Sequence, residues 1–395
     1  MTQRIVAIIA ILLCTTLAWV ILGGTIFART YSAGRNLTDQ VATIWGAPQK
    51  QYAPLATTTK TVQKIAGTKI VEETVVTPLP LEQSRVRVAL DLEQRQKGLL
   101  WFPTYRVAFQ GLYLFRNDES DEVAVTLRFP AANAVYDDLV FRVDGRPVAM
   151  TTKDNAISTT IQRPPGAPIR VDFGYRSQGL SSWHYAFGDD VAQVRDFVLE
   201  MTTDFRAIDF PAGTMSPTEK KEIRAGWNLR WSYENLLTGS AIGMTMPEKL
   251  QPGPLAGRIS YFAPVSLLFF FFLIFIITTM RGIDLHPMNY FFLAAAFFAF
   301  HLLLAYLVDH ISLHLAFAIC AAVSIFLVVS YLRLVVGMRF AMFEAAVTQF
   351  VYLVAFSYAF FFKGFTGLAV TIGAILTLFI VMQMTGRIHW TKRFA

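Results

Sequence analysis

Six long apolar runs in this 395-residue chain decide what it can fold into. Five of them follow one another from residue 259 onward, at about 260–280, 288–308, 312–332, 341–362 and 365–385. Each approaches the ~20 residues that an α-helix needs to cross a hydrocarbon core. The breaks fall where polar or helix-ending residues gather: Arg281-Gly282-Ile283-Asp284, Asp309-His310, Arg333 through Arg339, and Lys363-Gly364. The sixth run, Ile5 to Phe27, reaches ~34 Å as a helix. It is predicted to stay as an anchor, because its apolar core exceeds the ~7–15 residues of a cleaved signal peptide and Ile26-Phe27-Ala28 is a poor small-x-small site. Dense phenylalanine, as in Phe269 to Phe272 and Phe360 to Phe362, suits lipid and inter-helix packing.

Charge separates the rest of the chain from these runs. The whole carries 35 Lys/Arg against 28 Asp/Glu, of which 27 and 25 lie between residues 28 and 258. The middle is thus nearly balanced, and the basic excess sits beside apolar runs, where it reads as a topology signal rather than a nucleic-acid footprint. Within residues 29–258 apolar residues alternate with polar ones: Val86/Val88/Leu90, Val107 to Phe115, Val123 to Phe129, Leu139/Phe141/Val143, Ile169 to Tyr175, and Phe197/Leu199/Met201. Asp144-Gly145 is a hairpin dipeptide. Such spacing predicts a mainly antiparallel, sandwich-like β domain. Ahead of it, Leu37, Val41, Ile44 and Trp45 form a helical stripe that Trp45-Gly46-Ala47-Pro48 ends, and Pro247 to Gly257 reads as a linker. The expected organisation is an N-terminal anchor (1–28), an extracytoplasmic β-rich domain (29–258) and a five-helix membrane domain (259–395). Both cysteines, Cys14 and Cys320, lie in apolar runs, so the β domain holds no internal disulfide.

With a cytoplasmic N-terminus, six spans return the C-terminus to the same side. Arg4, Arg281, Arg333, Arg339, Arg387, Lys392 and Arg393 then lie inside, against Lys363 in the short outer loops. This bias places residues 29–258 outside; Arg29 and Arg35, just beyond the first span, pull the other way.

Neither a phosphate-binding loop nor a dinucleotide fingerprint is present, nor His-Glu-x-x-His, a nucleophile elbow or Cys-x-x-Cys. The expectation is therefore a non-enzyme without catalytic residues, metal or cofactor, whose partners are the bilayer and an envelope protein or lipid, with no nucleic acid. Candidate polar sites are Asp309, His310 and His314 at an outer hairpin, His301 two turns earlier, and Glu344 near Arg339 at the inner end of the fifth of the six spans. Their plainer readings are a helix cap, an inter-helix hydrogen bond and an interfacial ion pair. Candidate recognition aromatics are Trp183 with Tyr185, spaced for one face of a strand, and Trp227 with Trp231, spaced for one face of a helix; sheet core or an interfacial belt is the plainer account.

Three stretches carry a family resemblance. His286-Pro287-Met288-Asn289-Tyr290 leads through His301 to Asp309-His310-Ile311; Ser357-Tyr358 through Gly367 precedes the last span; and Trp45-Gly46-Ala47-Pro48-Gln49 with Pro54 follows the first. They resemble the CreD family of bacterial inner-membrane proteins. The resemblance implies one N-terminal span, a large periplasmic domain, a C-terminal helical bundle and a part in envelope stress and tolerance to envelope-acting toxins, with no catalytic residues to transfer. The reading is a CreD-like inner-membrane protein that senses or binds through its periplasmic domain. The alternatives are an insertase- or chaperone-like factor, by analogy with the YidC layout, and an intramembrane enzyme or transporter.

Overall fold

The computed structural model describes residues 2–66, 69–97, 100–118, 122–132, 134–189, 192–362 and 364–386. Lys363, Arg387, Lys392 and Arg393, which enter the charge argument, lie outside the described residues. Two compact units form: Met1–Arg35 with Leu250–Ala395, and Asn36–Lys249.

The helical unit contains six helices long and apolar enough to cross a membrane among the described residues. They are α1 (Thr2–Trp45, whose later residues belong to the β unit), α2 (Pro252–Arg281), α3 (Pro287–Leu307), α4 (Leu313–Val335), α5 (Phe340–Phe361) and α6 (Thr366–Thr385). Their ends follow local chemistry. Gly282 closes α2 in the left-handed conformation (φ 67°), and Ile283 N–H donates to Thr278 O at 2.9 Å. His286 Nδ1 accepts from Met288 N–H at 3.2 Å, with Pro287 at the first helical position, where a missing N–H costs nothing. The same rule corrects the linker expectation for Pro247 to Gly257. Prolines 252 and 254 sit in the first turn of α2, so the helix begins at Pro252 rather than after Gly257. The anchor and the stripe from Leu37 are likewise one helix of 44 residues, because no proline or helix-stopping turn separates them before Gly46. Within α5, Phe340–Ala345 and Phe350–Ala355 are wound as π-helix, a feature without a periodicity signal in the sequence.

The β unit has sixteen strands among its described residues: β1 (Gln49–Tyr52), β2 (Leu55–Ala66), β3 (Lys69–Pro78), β4 (Leu81–Lys97), β5 (Leu100–Arg116), β6 (Glu122–Arg128), β7 (Tyr136–Val143), β8 (Arg146–Pro147), β9 (Thr151–Lys153), β10 (Ala156–Gln162), β11 (Pro168–Leu180), β12 (Ser182–Ala186), β13 (Ala192–Thr203), β14 (Glu219–Glu222), β15 (Trp227–Thr238) and β16 (Ile242–Thr245). They build an eight-stranded sheet ordered β14-β15-β13-β4-β5-β11-β7-β8, a five-stranded sheet β3-β2-β6-β10-β9, and a three-stranded sheet β1-β12-β16. Pairing is antiparallel except for β4 with β13 and β1 with β12. The alternation read along β5 is the burial pattern: Val107, Phe109, Tyr113 and Phe115 are at most 1% exposed. The same cluster takes Val123, Val125 and Ile157 from the five-stranded sheet and Trp183, Tyr185 and Met244 from the three-stranded one, so three sheets share one core. The buried phenols each find a partner: Tyr105 donates to Ser182 O (2.8 Å), Tyr175 to Gln51 Oε1 (3.0 Å) and Tyr185 to Tyr113 (3.4 Å). Burial raises all of them above the ordinary tyrosine range, so they stay neutral.

The Trp45-Gly46-Ala47-Pro48-Gln49 segment now has a physical account. It lies against the end of β11: Leu180 N–H donates to Ala47 O (3.2 Å), and Gln49 Nε2 donates to Ser177 Oγ and Gln178 O, both at 2.9 Å. Gly46 has φ 104°, and a Cβ there would sit 2.2 Å from Gln178 O, which is backbone and cannot rotate away. Gly46→Ala is expected to cost at least ~2 kcal/mol, from the φ penalty together with displaced backbone. A thermal-unfolding midpoint unchanged from the parent would contradict this.

Candidate functional site

The polar side chains singled out in the helical unit do not converge. Each is taken up by a different neighbour. Asp309, 17% exposed, is paired with Arg29 of α1 at 3.0 Å, and Arg29 also donates to Ala305 O at 3.1 Å. The outer-end arginine that counted against the topology is thus held by a carboxylate. His310 and Ser312 are exposed; Ser312 takes the N-cap position of α4 but its hydroxyl makes no cap bond, which corrects the capping reading there. His314 is also exposed and rests near aromatic rings, 5.1 Å from Phe361 and 6.3 Å from Tyr358 between centroids. His301 is fully buried, and its Nδ1 lies 2.9 Å from Phe297 O of its own helix, not of a neighbouring one; Nε2 is left without a partner, beside the Trp19 ring at 5.6 Å. Among the described residues no three His, Cys, Asp or Glu side chains stand close enough to hold a metal ion.

Glu344 corrects another expectation. Its partner is Arg281, at the end of α2, and not its sequence neighbour Arg339, which is exposed. Glu344 lies in the first π-wound turn of α5, and that helix sends further polar groups to other helices. Gln349 Nε2 donates to Ser324 Oγ (2.8 Å), which donates to Ala296 O (2.7 Å), linking α5 to α4 and α3. Tyr352 OH is 2.5 Å from Thr377 Oγ1 of α6, and Ser266 of α2 donates to the Tyr352 carbonyl. At the other terminus of α1, Arg4 reaches Asp284 (3.1 Å) and Tyr290 OH (3.2 Å). The helical unit contains three carboxylates, Asp284, Asp309 and Glu344, and every one is paired with an arginine from a different segment. Asp309 and Glu344 make these links largely buried, whereas Asp284 is 95% exposed.

In the β unit, Trp183, Tyr185 and Trp231 are fully buried in the shared core. Trp227 and Trp231 stand on strand β15 rather than on a helix; their even separation still gives them one face. Trp231 Nε1 donates to Met215 O and Trp227 Nε1 to Arg206 O, both at 2.9 Å. The recessed surface of this unit lies elsewhere. The outward face of the eight-stranded sheet forms a groove of about 890 Å³. Six arginines line it: Arg85, Arg87, Arg142, Arg170, Arg176 and Arg230, against the carboxylates Asp138, Asp172 and Glu200. Arg85 is tied to Asp196 at 2.6 Å, and hydrogen bonds from Gln83 and Arg85 hold the Asp196 carboxyl below the ordinary range. The groove has no motif of its own in the sequence, because apolar alternation marks only the core-facing half of each strand. The signal was the other half: Arg85 and Arg87 flank Val86, and Arg170, Asp172 and Arg176 interleave with Val171, Phe173 and Tyr175.

Residues 203–391 match the model of the family described as inner membrane protein CreD. The matched stretch runs from the end of β13 through α2 to α6, which is where two of the three resembling segments lie. The CreD match and the six apolar helices together support a multi-pass inner-membrane protein. No curated protein matches the chain. Among solved structures, a candidate nutrient binding protein from Legionella pneumophila is similar at 9% identity and a TM-score of 0.34, covering 56% of this chain and 76% of that one. An M1 zinc metallopeptidase from Deinococcus radiodurans is similar at 10% identity and a TM-score of 0.29, covering 43% of this chain and 42% of that one. Likeness this shallow has no bearing on activity.

Proposed function

We propose that the chain is a non-enzymatic protein of the bacterial inner membrane, with both termini cytoplasmic and a sandwich-like β unit on the extracytoplasmic side that binds or senses a component of the envelope. The helical unit anchors it. The observation that carries this reading is the groove of about 890 Å³ on the β unit, lined by six arginines. The arginine excess beside the spans supports the orientation, through Arg4, Arg281, Arg333 and Arg339 among the described residues. A part in envelope stress would follow from what the CreD resemblance implies.

Orientation is testable in a background where Cys14 and Cys320 are replaced by alanine. A membrane-impermeant thiol reagent is expected to label Lys153→Cys, on exposed β9, in cells with a permeabilised outer membrane. Met338→Cys, between α4 and α5, is expected to react only after the inner membrane is opened. The opposite pattern overturns the orientation. Loss of the β unit with retained insertion is expected to abolish the phenotype of the intact protein, and an unchanged phenotype rejects the binding role.

A further inference from the structure

The arginines of the groove fall into two banks. One bank is Arg85 and Arg87 of β4 with Arg230 of β15; the other is Arg142 of β7 with Arg170 and Arg176 of β11. Register fixes their separation. Arg85 is opposite Leu112, Leu112 opposite Asp172, and Asp172 opposite Arg142, so Arg85 and Arg142 stand three strand spacings apart, with Arg170 and Arg176 one strand nearer to β4 and Arg230 two strands beyond it. At ~4.8 Å per strand that is ~14 Å between backbones. Next to this row runs another: Arg87, Gln110, Gly174, Val140. Between the banks the floor is low and uncharged apart from Asp172, with Ala108, Gly174 and Gln110.

The guanidinium groups are also under-occupied. Arg176 is held by Asp138 at 3.1 Å and Arg85 by Asp196, but the remaining contacts are loose: Arg87 to Glu200 at 3.8 Å, Arg230 to Glu200 at 3.6 Å and Arg170 to Asp172 at 3.7 Å. These distances are too long for hydrogen bonds, and Arg230 Nε is buried with no acceptor. Arg142 has no carboxylate partner among the described residues. Two carboxylates thus serve three arginines without satisfying their donor forks. Guanidinium forks match phosphate oxygens bidentately, and a sheet face that sets six arginines against four carboxylates, Asp196 included, is complementary to an anion.

We infer that the groove binds a soluble small molecule with a phosphate at each end of a neutral, hydroxyl-bearing body, one phosphate on Arg87 and Arg230 and the other on Arg142 and Arg170. Gln110 and Asp172 lie between the banks and take hydroxyls of the body, Gln110 by its amide and Asp172 as an acceptor. The volume suits a ligand of this size. The inference rests on the β unit being the recognition part of the protein, and it adds the class of ligand.

The test uses the full-length protein in nanodiscs of zwitterionic lipid, with fructose 1,6-bisphosphate and fructose 6-phosphate as probes, measured by calorimetry at fixed salt. The bisphosphate is expected to bind at least ~10-fold more tightly, because the second phosphate engages at high effective concentration. Arg87→Gln with Arg230→Gln, and separately Arg142→Gln with Arg170→Gln, are each expected to bring the bisphosphate down to the monophosphate level. All four side chains lie on the outward face, so the thermal midpoint should hold, and Arg206→Gln with Arg224→Gln, away from the groove, should leave the preference intact. Equal affinity for the two probes, or a preference that survives both bank variants, overturns the inference. So does binding to phosphatidylglycerol vesicles without any bisphosphate preference, which would make the groove a membrane-surface contact. The binding measurement does not depend on orientation, so its failure leaves the thiol-labelling result standing, and the reverse.

Discussion

Phe109→Ala is expected to lower the stability of the β unit by about 3–5 kcal/mol, the range for emptying a large aromatic site in a core. Phe109 is 1% exposed and occupies the middle of β5, where the sheets meet. Its ring stacks on Tyr175 at 5.3 Å between centroids and lies 6.0 Å from Phe173, 6.3 Å from Trp183 and 6.5 Å from Tyr185. These partners come from β11 and β12, which belong to different sheets, so one truncation opens a void that neither sheet can close alone. For a unit the length of Asn36–Lys249, each kcal/mol moves the midpoint by about 2–4 °C, so a fall of about 6–20 °C is expected. Thermal proteolysis of the full-length protein, following cleavage within the β unit, measures it. Phe109→Leu keeps most of the volume and should cost less than half as much. A shift under ~3 °C for alanine would mean that the three sheets are held together elsewhere.

This centre was legible in advance because the β strands that build it show apolar residues at every second position. The strands that the sequence hid are of another kind. In β2 and β3, threonine and lysine fall on both faces, and β8, β9 and β14 are only two to four residues long, too short for an alternation to appear. Helix positions in the C-terminal half were legible for a simpler reason, since a span is defined by length and apolarity alone. Partner choice was not. Arg29 meets Asp309 across 280 residues of sequence, and Glu344 passes over Arg339, close by in the chain, for Arg281. Local spacing identifies a charge that must be paired; only the packing of the helices identifies with what. The groove belongs to both categories. Its arginines are visible in the alternation, but that they assemble on one sheet face follows from a strand order in which β13 pairs with β4 and β7 with β11.

The pairing of Glu344 gives the second large effect. Glu344 is 15% exposed, one carboxylate oxygen is bonded to Arg281, and the other is buried without a partner. Arg281→Leu would strand that carboxylate among apolar helices. Breaking a fully buried pair from one side costs about 3–5 kcal/mol, but Arg281 is half exposed, so about 2 kcal/mol is expected here. Glu344→Gln alone should cost less, since the amide oxygen still accepts from Arg281. The double variant, Arg281→Leu with Glu344→Gln, should recover most of the loss, because a neutral amide needs no counter-charge. The coupling between the two sites is expected to be about 1–2 kcal/mol, read from thermal unfolding of the four variants in one detergent. Arg339→Leu is the control that separates the two possible partners: as an exposed side chain outside the pair it should stay within ~0.5 kcal/mol of the parent. If Arg339→Leu were instead the costly change and Arg281→Leu neutral, the carboxylate would be served by its neighbour along the chain, and α5 would lose its charged link to α2.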